Sequence, residues 1–181
     1  MGRVIIFPTD TVYGIGTQIF DIDGINRIYN IKNRPLDKPL ACLCSNLKQI
    51  EDIAILNDDA KKLINAFLPG GLTLILESKE IVKNKIGYQT IGVRIPDSEI
   101  ALKILDENGP MLTTSVNDSG SEPINSYEEI VNKYNDVVDK IYKNDKKLLE
   151  IPSTVVKIID KELVVLREGA IKKEDISKLL K

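Results

Sequence analysis

Apolar residues alternate with polar segments along this chain at spacings that predict strands and helices in turn. The run Arg3 to Phe7 is β-branched and aromatic and meets Pro8, which predicts a buried strand entering a loop. From Asp21 to Lys32, Ile22, Ile25, Ile28 and Tyr29 recur at three- and four-residue steps, which predicts a helix with Asp21 or Asp23 as its cap. Further strands are expected at Ala41 to Cys44, Leu72 to Leu76, Ile91 to Ile95, Met111 to Thr114, Val137 to Ile141, Val155 to Ile159 and Leu163 to Leu166. Helices are expected at Ala60 to Phe67, Glu99 to Asp106, Tyr127 to Tyr134 and Glu174 to Leu180. The last two strands, joined through Asp160-Lys161-Glu162, read as a hairpin. Interleaved strands and helices make the fold class α/β, with a mixed sheet carrying helices on its faces.

A length of 181 residues fits one domain over residues 1–181, with no internal repeat or linker. With 43% hydrophobic and 29% charged residues, the composition is that of a globular protein. A net charge of -2 argues against a duplex nucleic-acid binder. Cys42 and Cys44 are expected as buried thiols rather than a disulfide. No leader pattern or membrane-length apolar run is seen, so the expectation is a cytoplasmic protein with no membrane partner. The chain holds no histidine, which excludes histidine triads, histidine-containing zinc sites and an imidazole base. Its chemistry must rest on charge and positioning.

Polar segments between the apolar runs are the candidates for that chemistry. The loop Pro8 to Gly16 offers the hydroxyls of Thr9 and Thr11, with Gly14 and Gly16 allowing close approach of a ligand to the backbone. Lys32, Arg34 and Lys38 follow a helix in a proline-fixed segment, a set that suits a polyphosphate or a helix C-terminus equally. Thr113 to Gly120 gathers four hydroxyls and an amide after a strand, more hydrogen-bonding groups than one turn needs, without a P-loop ending. Arg94 lies inside an apolar strand and so requires a partner or a ligand carboxylate. Ser153-Thr154 and Arg167-Glu168-Gly169 read individually as strand boundaries, and the lysine-rich run Lys140 to Lys147 as a solvated loop.

Taken in order, PTDTVYGIG, K-x-R-P-x-x-K-P-L at Lys32 to Leu40, PGGLTLIL at Pro69 to Leu76, GVRIP at Gly92 to Pro96, TTSVNDSG at Thr113 to Gly120, STVV at Ser153 to Val156 and LREGAI at Leu166 to Ile171 resemble the YrdC/TsaC family of threonylcarbamoyl-adenylate synthases, in its short, single-domain form. The resemblance implies a twisted mixed sheet around a concave, positively lined cavity. It implies a nucleotidyltransferase that joins L-threonine, bicarbonate or CO2 and ATP, with Mg2+ accompanying ATP, into threonylcarbamoyl-AMP and pyrophosphate. The product would feed a downstream transferase machinery for the t6A modification at position 37 of ANN-decoding tRNAs, with weak tRNA binding.

Carried over by the resemblance, the catalytic signature falls on Lys32, Arg34, Ser115 and Asn117. ATP would meet Lys32, Arg34, Lys38, Thr90, Asn117, Asn125 and Arg167. Threonine would meet Thr11, Arg94, Ser115 and Ser153, and no residue is assigned to a protein-held metal. The chain departs from the family pattern at Ser98, commonly histidine, near Leu43, where some members place a histidine, at Gly71, often proline, and at Val116, usually alanine. The alternative readings are an RNA-binding or ribosome-associated module, favoured by salt-dependent tRNA binding without ATP turnover, and a domain making a different carbamoyl-adenylate.

Overall fold

The computed structural model describes residues 2–159 and 162–180. In chain order the elements are β1 (Ile5–Pro8), β2 (Tyr13–Gln18), α1 (Ile22–Lys32), β3 (Ala41–Leu43), α2 (Leu47–Ile53), α3 (Asp58–Phe67), β4 (Leu72–Glu77) and α4 (Glu80–Ile86). They continue with β5 (Thr90–Arg94), α5 (Glu99–Asn108), β6 (Met111–Ser115), α6 (Tyr127–Tyr134), β7 (Lys140–Ile141), β8 (Thr154–Ile159), β9 (Glu162–Arg167) and α7 (Lys173–Leu179). The strands form one mixed sheet in the order β7-β1-β2-β6-β3-β5-β4-β8-β9.

Helix starts follow their capping residues. Asp21 accepts from Gly24 N, Asn46 from Gln49 N, Asn57 from Ala60 N, Ser98 from Ala101 N and Ser126 from Glu129 N. Of the two candidates for α1, Asp21 is the cap. Ser98, which stands where relatives often have histidine, caps α5. Helices α2 and α4 were not expected, and the strand expected at Val137 to Ile141 contracts to Lys140–Ile141. Its first half is drawn into turns, because Val137 N and Val138 N bond back to Tyr134 O while Asp139 accepts from Val4 N and Arg27. The pairing Ile159↔Glu162 bears out the final hairpin, whereas its connecting residues Asp160 and Lys161 lie outside the described residues.

Strand alternation assigns the two faces of the sheet. Ile6, Ile15, Leu112, Cys42, Val93, Leu74 and Val156 share one face, which packs with Ile28, Ile50, Leu63, Val82, Ile130 and Ile176 from six helices into the main core. Cys42 and Cys44 are free and buried in this core. On the other face Ile5, Phe7, Leu43 and Met111 pack beneath Ala101, Ile104 and Leu105 of α5. Beyond that helix the same face is left uncovered across Thr113, Ala41, Gly92 and Ile75, whose register pairings form a shallow floor.

Pro8 to Gly16, expected as one loop, is a four-residue turn followed by β2. The glycines answer to the sheet, not to a turn. A Cβ at Gly14 would sit 2.7 Å from Thr113 Cγ2, and one at Gly16 would sit 2.7 Å from Thr113 Oγ1. Those glycines allow the backbone to approach Thr113 on the neighbouring strand, and Gly14 also borders the uncovered part of the sheet.

Candidate functional site

The uncovered part of the sheet is the floor of a cavity of about 230 Å3. Its wall includes Arg34, Arg94 and Arg167, the hydroxyl-bearing residues Thr9, Thr11, Tyr13, Thr73, Thr113, Thr114, Ser115 and Ser153, and no aspartate or glutamate. Such a lining attracts an anion and meets it with donors. Of the residues assigned through the family resemblance, Thr11, Arg34, Arg94, Ser115, Ser153 and Arg167 line the cavity, whereas Lys32, Lys38, Thr90, Asn117 and Asn125 do not.

Arg94 is 5% exposed, and each part of its fork is held. Nε donates to Gly70 O at 2.8 Å, Nη1 to Thr11 Oγ1 at 2.8 Å, and Nη2 to Asp10 Oδ1 in a buried salt bridge. Three of its five N–H groups are committed, which leaves two for a ligand. Burial lowers its pKa and the Asp10 charge raises it back. The charge inside an apolar strand thus has its protein partner in Asp10, which sequence reasoning placed in the loop without assigning it a role. The prior expectation of a buried charge needing a counter-ion was the signal that pointed to it.

Thr11 is wired from both sides. Thr9 Oγ1 donates to Val12 O at 2.7 Å, so the Thr9–Thr11 contact at 3.1 Å uses the Thr11 proton. Thr11 Oγ1 also accepts from Arg94, and it is left with one lone pair to offer a ligand.

Arg167 donates through Nε and Nη2 to Ser153 O, at 3.1 and 2.8 Å, and faces no acidic partner among the described residues. Burial lowers its pKa. Arg34 closes its own proline-rich loop by donating from Nε to Lys38 O at 2.9 Å and from Nη2 to Pro39 O at 3.0 Å. The same Lys38 carbonyl accepts from Tyr29 Oη, so the loop is tied to the C-terminal half of α1. The Lys38 side chain itself is exposed.

Lys32 is 1% exposed, and its ammonium is surrounded by acceptors. It donates to Ser115 O at 2.5 Å, Asn117 O at 2.7 Å and Asn117 Oδ1 at 2.7 Å, while its own carbonyl accepts from Ser119 N. Burial, and then the nearby charge of Arg34, push its pKa down to about 8. Asn117 is equally committed, accepting from Ser115 Oγ at 2.8 Å and donating through Nδ2 to Ser121 O. These two residues hold the hydroxyl loop that presents Ser115 to the cavity. Asn125 Oδ1 accepts from Tyr13 N and pins the same loop to β2 from the other side. Thr90, at the start of β5, is exposed and shares the sheet face of Gly92 and Arg94.

Two residues at the family departures have structural explanations. Val116 is fully buried in the main core, and Leu43 lines the cavity under α5. Among the described residues no group of three or more histidine, cysteine, aspartate or glutamate side chains is placed to hold a metal ion. Hydroxyls and guanidiniums do not make a Mg2+ cage of their own, since that ion prefers carboxylate and phosphate oxygens. No helix among the described residues is long and apolar enough to cross a membrane.

The Sua5_yciO_yrdC family model (Telomere recombination) matches residues 1–169. A Methanocaldococcus jannaschii relative is 37% identical over 170 residues, covering 94% of this chain and 81% of the relative. The threonylcarbamoyl-AMP synthase of Pyrococcus abyssi is 33% identical over 183 residues, covering 99% of this chain and 54% of the relative, so the chain spans about half of that protein's length. The crystal structure of P. abyssi Sua5 complexed with L-threonine superposes with a TM-score of 0.91 at 33% identity, covering 98% of this chain and 54% of that one. The structure of Escherichia coli YciO superposes with a TM-score of 0.85 at 32% identity, covering 94% of this chain and 85% of that one. With a family match across most of its length and relatives more than 30% identical, the chain belongs to the Sua5/YciO/YrdC family.

Proposed function

We propose that this protein is an L-threonylcarbamoyladenylate synthase. The observation that carries the reading is the cavity wall: three arginines and a set of threonine and serine residues above the uncovered sheet, in the fold of a protein solved with L-threonine. A polyanion and an amino acid are the ligands such a wall suits, and relatives named threonylcarbamoyl-AMP synthase match nearly the whole of this chain at 33% and 34% identity.

In the reaction, the amine of threonine adds to CO2 with loss of a proton, or condenses with bicarbonate with loss of water, to give a carbamate. A carbamate oxygen attacks the α-phosphorus of ATP, the bond to the β-phosphate oxygen breaks, and pyrophosphate leaves. Nucleotidyl transfer of this kind depends on alignment and charge stabilisation, which arginines and hydroxyls supply without an imidazole. Arg34 and Arg167 meet the phosphates, and the exposed Lys38 and Thr90 meet the part of the nucleotide that extends beyond the cavity. Arg94 offers its two free N–H groups to the threonine carboxylate, with Thr11, Ser115 and Ser153 around it. Lys32, Asn117 and Asn125 act on the nucleotide side by fixing the loop that bears Ser115. ATP enters as its Mg2+ complex, the ion carried by the phosphates as part of the substrate. The product serves a transferase that modifies tRNA.

Pyrophosphate release from Mg2+-ATP tests this reading. Release that requires threonine and bicarbonate together supports it, and tRNA binding without any turnover would replace it with the RNA-binding alternative.

A further inference from the structure

Thr73 belongs to none of the residue sets that the family resemblance supplies, yet it lies inside the cavity wall and is 4% exposed. It sits on the cavity face of β4, in register with Val155 of β8, which in turn pairs with Arg167 of β9. Its hydroxyl meets Ser153 Oγ at 2.8 Å. Arg167 Nη2 reaches the same Ser153 oxygen at 3.3 Å.

Proton counting limits what this trio can offer a ligand. A guanidinium can only donate, so Ser153 Oγ accepts from Arg167. The Thr73–Ser153 bond uses one of the two hydroxyl protons, which leaves one proton for a ligand oxygen in the cavity. Either hydroxyl can donate in that bond; with Thr73 as the donor, both lone pairs of Ser153 Oγ are filled, by Thr73 and Arg167, and the Ser153 proton is the one left for the cavity.

We infer that Thr73 is a positioning residue for the amino-acid substrate, holding the Ser153 hydroxyl as a donor to an oxygen of that substrate. This rests on the synthase reading given above, and it assigns Thr73 to the amino-acid side of the site and not to the nucleotide side. The valine variant keeps the shape and loses the hydroxyl, and the serine variant keeps the hydroxyl.

The test compares T73V, T73S, S153A and the double variant T73V/S153A by steady-state kinetics and by calorimetric titration with threonine. T73V is expected to raise the threonine KM and Kd about tenfold, the effect of losing one hydrogen bond, with the ATP KM and kcat within about twofold of the parent. T73S is expected to behave as the parent, and T73V/S153A to be no weaker for threonine than S153A alone. An unchanged threonine KM in folded T73V, an equal rise in the ATP KM, or full additivity of T73V with S153A would overturn the inference. Should T73V fail to fold, a folded T73S with a tenfold higher threonine KM would overturn it as well. A parent protein that makes no threonylcarbamoyl-adenylate would instead overturn the synthase reading, and threonine titration would still decide the role of Thr73.

Discussion

Asp10 forms a buried salt bridge with Arg94 of the cavity wall, with side chains 13% and 6% exposed. The two residues are 84 positions apart and are brought together by the turn after β1 and the end of β5. Asp10 Oδ1 also accepts from Asp97 N at 3.0 Å, so the carboxylate joins that turn to the segment leading into α5. The pair neutralises a charge that the apolar strand β5 could not hold alone, and it aims the remaining Arg94 donors at the cavity.

Removing one member of such a pair leaves the other buried and uncompensated. Asp10→Ala is therefore expected to lower unfolding free energy by about 3–5 kcal/mol. Denaturant unfolding measures this, and a loss below about 1 kcal/mol would show that water or another group replaces the carboxylate.

Lys32 gives a pH-dependent signature. Its pKa is about 8 in the fold, against about 10.4 for a lysine in an unfolded chain. Between those values the unfolded chain binds the additional proton, so the stability contributed at this position is lowest below pH 8 and rises with pH up to about 10.4. The unfolding free energy of the parent minus that of K32M should increase by roughly 2 kcal/mol from pH 7 to pH 10. A pH-independent difference would mean that the three carbonyl-type oxygens around the ammonium offset its burial.

Arg34 closes its loop through two different N–H groups to two carbonyls, a geometry that a lysine cannot copy. R34K should lower kcat/KM for ATP about tenfold or more while leaving the melting temperature near that of the parent. Equal losses for ATP and threonine would place Arg34 in general support of the cavity.

Gly14 is a site where one methyl group decides the outcome. A Cβ there lies 2.7 Å from Thr113 Cγ2, and its next nearest neighbours are 3.8 Å or more away. G14A should destabilise by about 1–3 kcal/mol, the cost typical of overpacking. T113S removes the methyl in the way and should recover most of that loss in the double variant. No recovery would mean that the backbone of β2, and not Thr113, resists the change.

Much of the sheet was legible because each central strand is an apolar run bounded by proline, glycine or charge. Ile91 to Ile95 and Leu72 to Leu76 match β5 and β4 within a residue or two. Strand β2 was hidden because its glycines and hydroxyls imitate a loop, and only its pairing with Thr113 shows why small residues are needed there. Helix α2 could have been found from Asn46 and Gln49, since the Asn46 side chain accepts from Gln49 N and Gln49 Oε1 accepts from Ser45 N. The site was legible in its motifs but not in its wiring. Sequence shows Arg94 needing a partner, but not that Asp10 supplies it, and shows Lys32 as a cation, but not that its charge is turned toward Ser115 and Asn117.

The central claim is that bicarbonate carbon ends up in an adenylate of threonine. The direct measurement is the mass of the product formed from threonine, Mg2+-ATP and bicarbonate, with and without carbon-13 in the bicarbonate. The account predicts threonylcarbamoyl-adenylate, heavier when the bicarbonate is labelled. An unlabelled threonyl-adenylate, or ATP left intact in the presence of both other substrates, would contradict it.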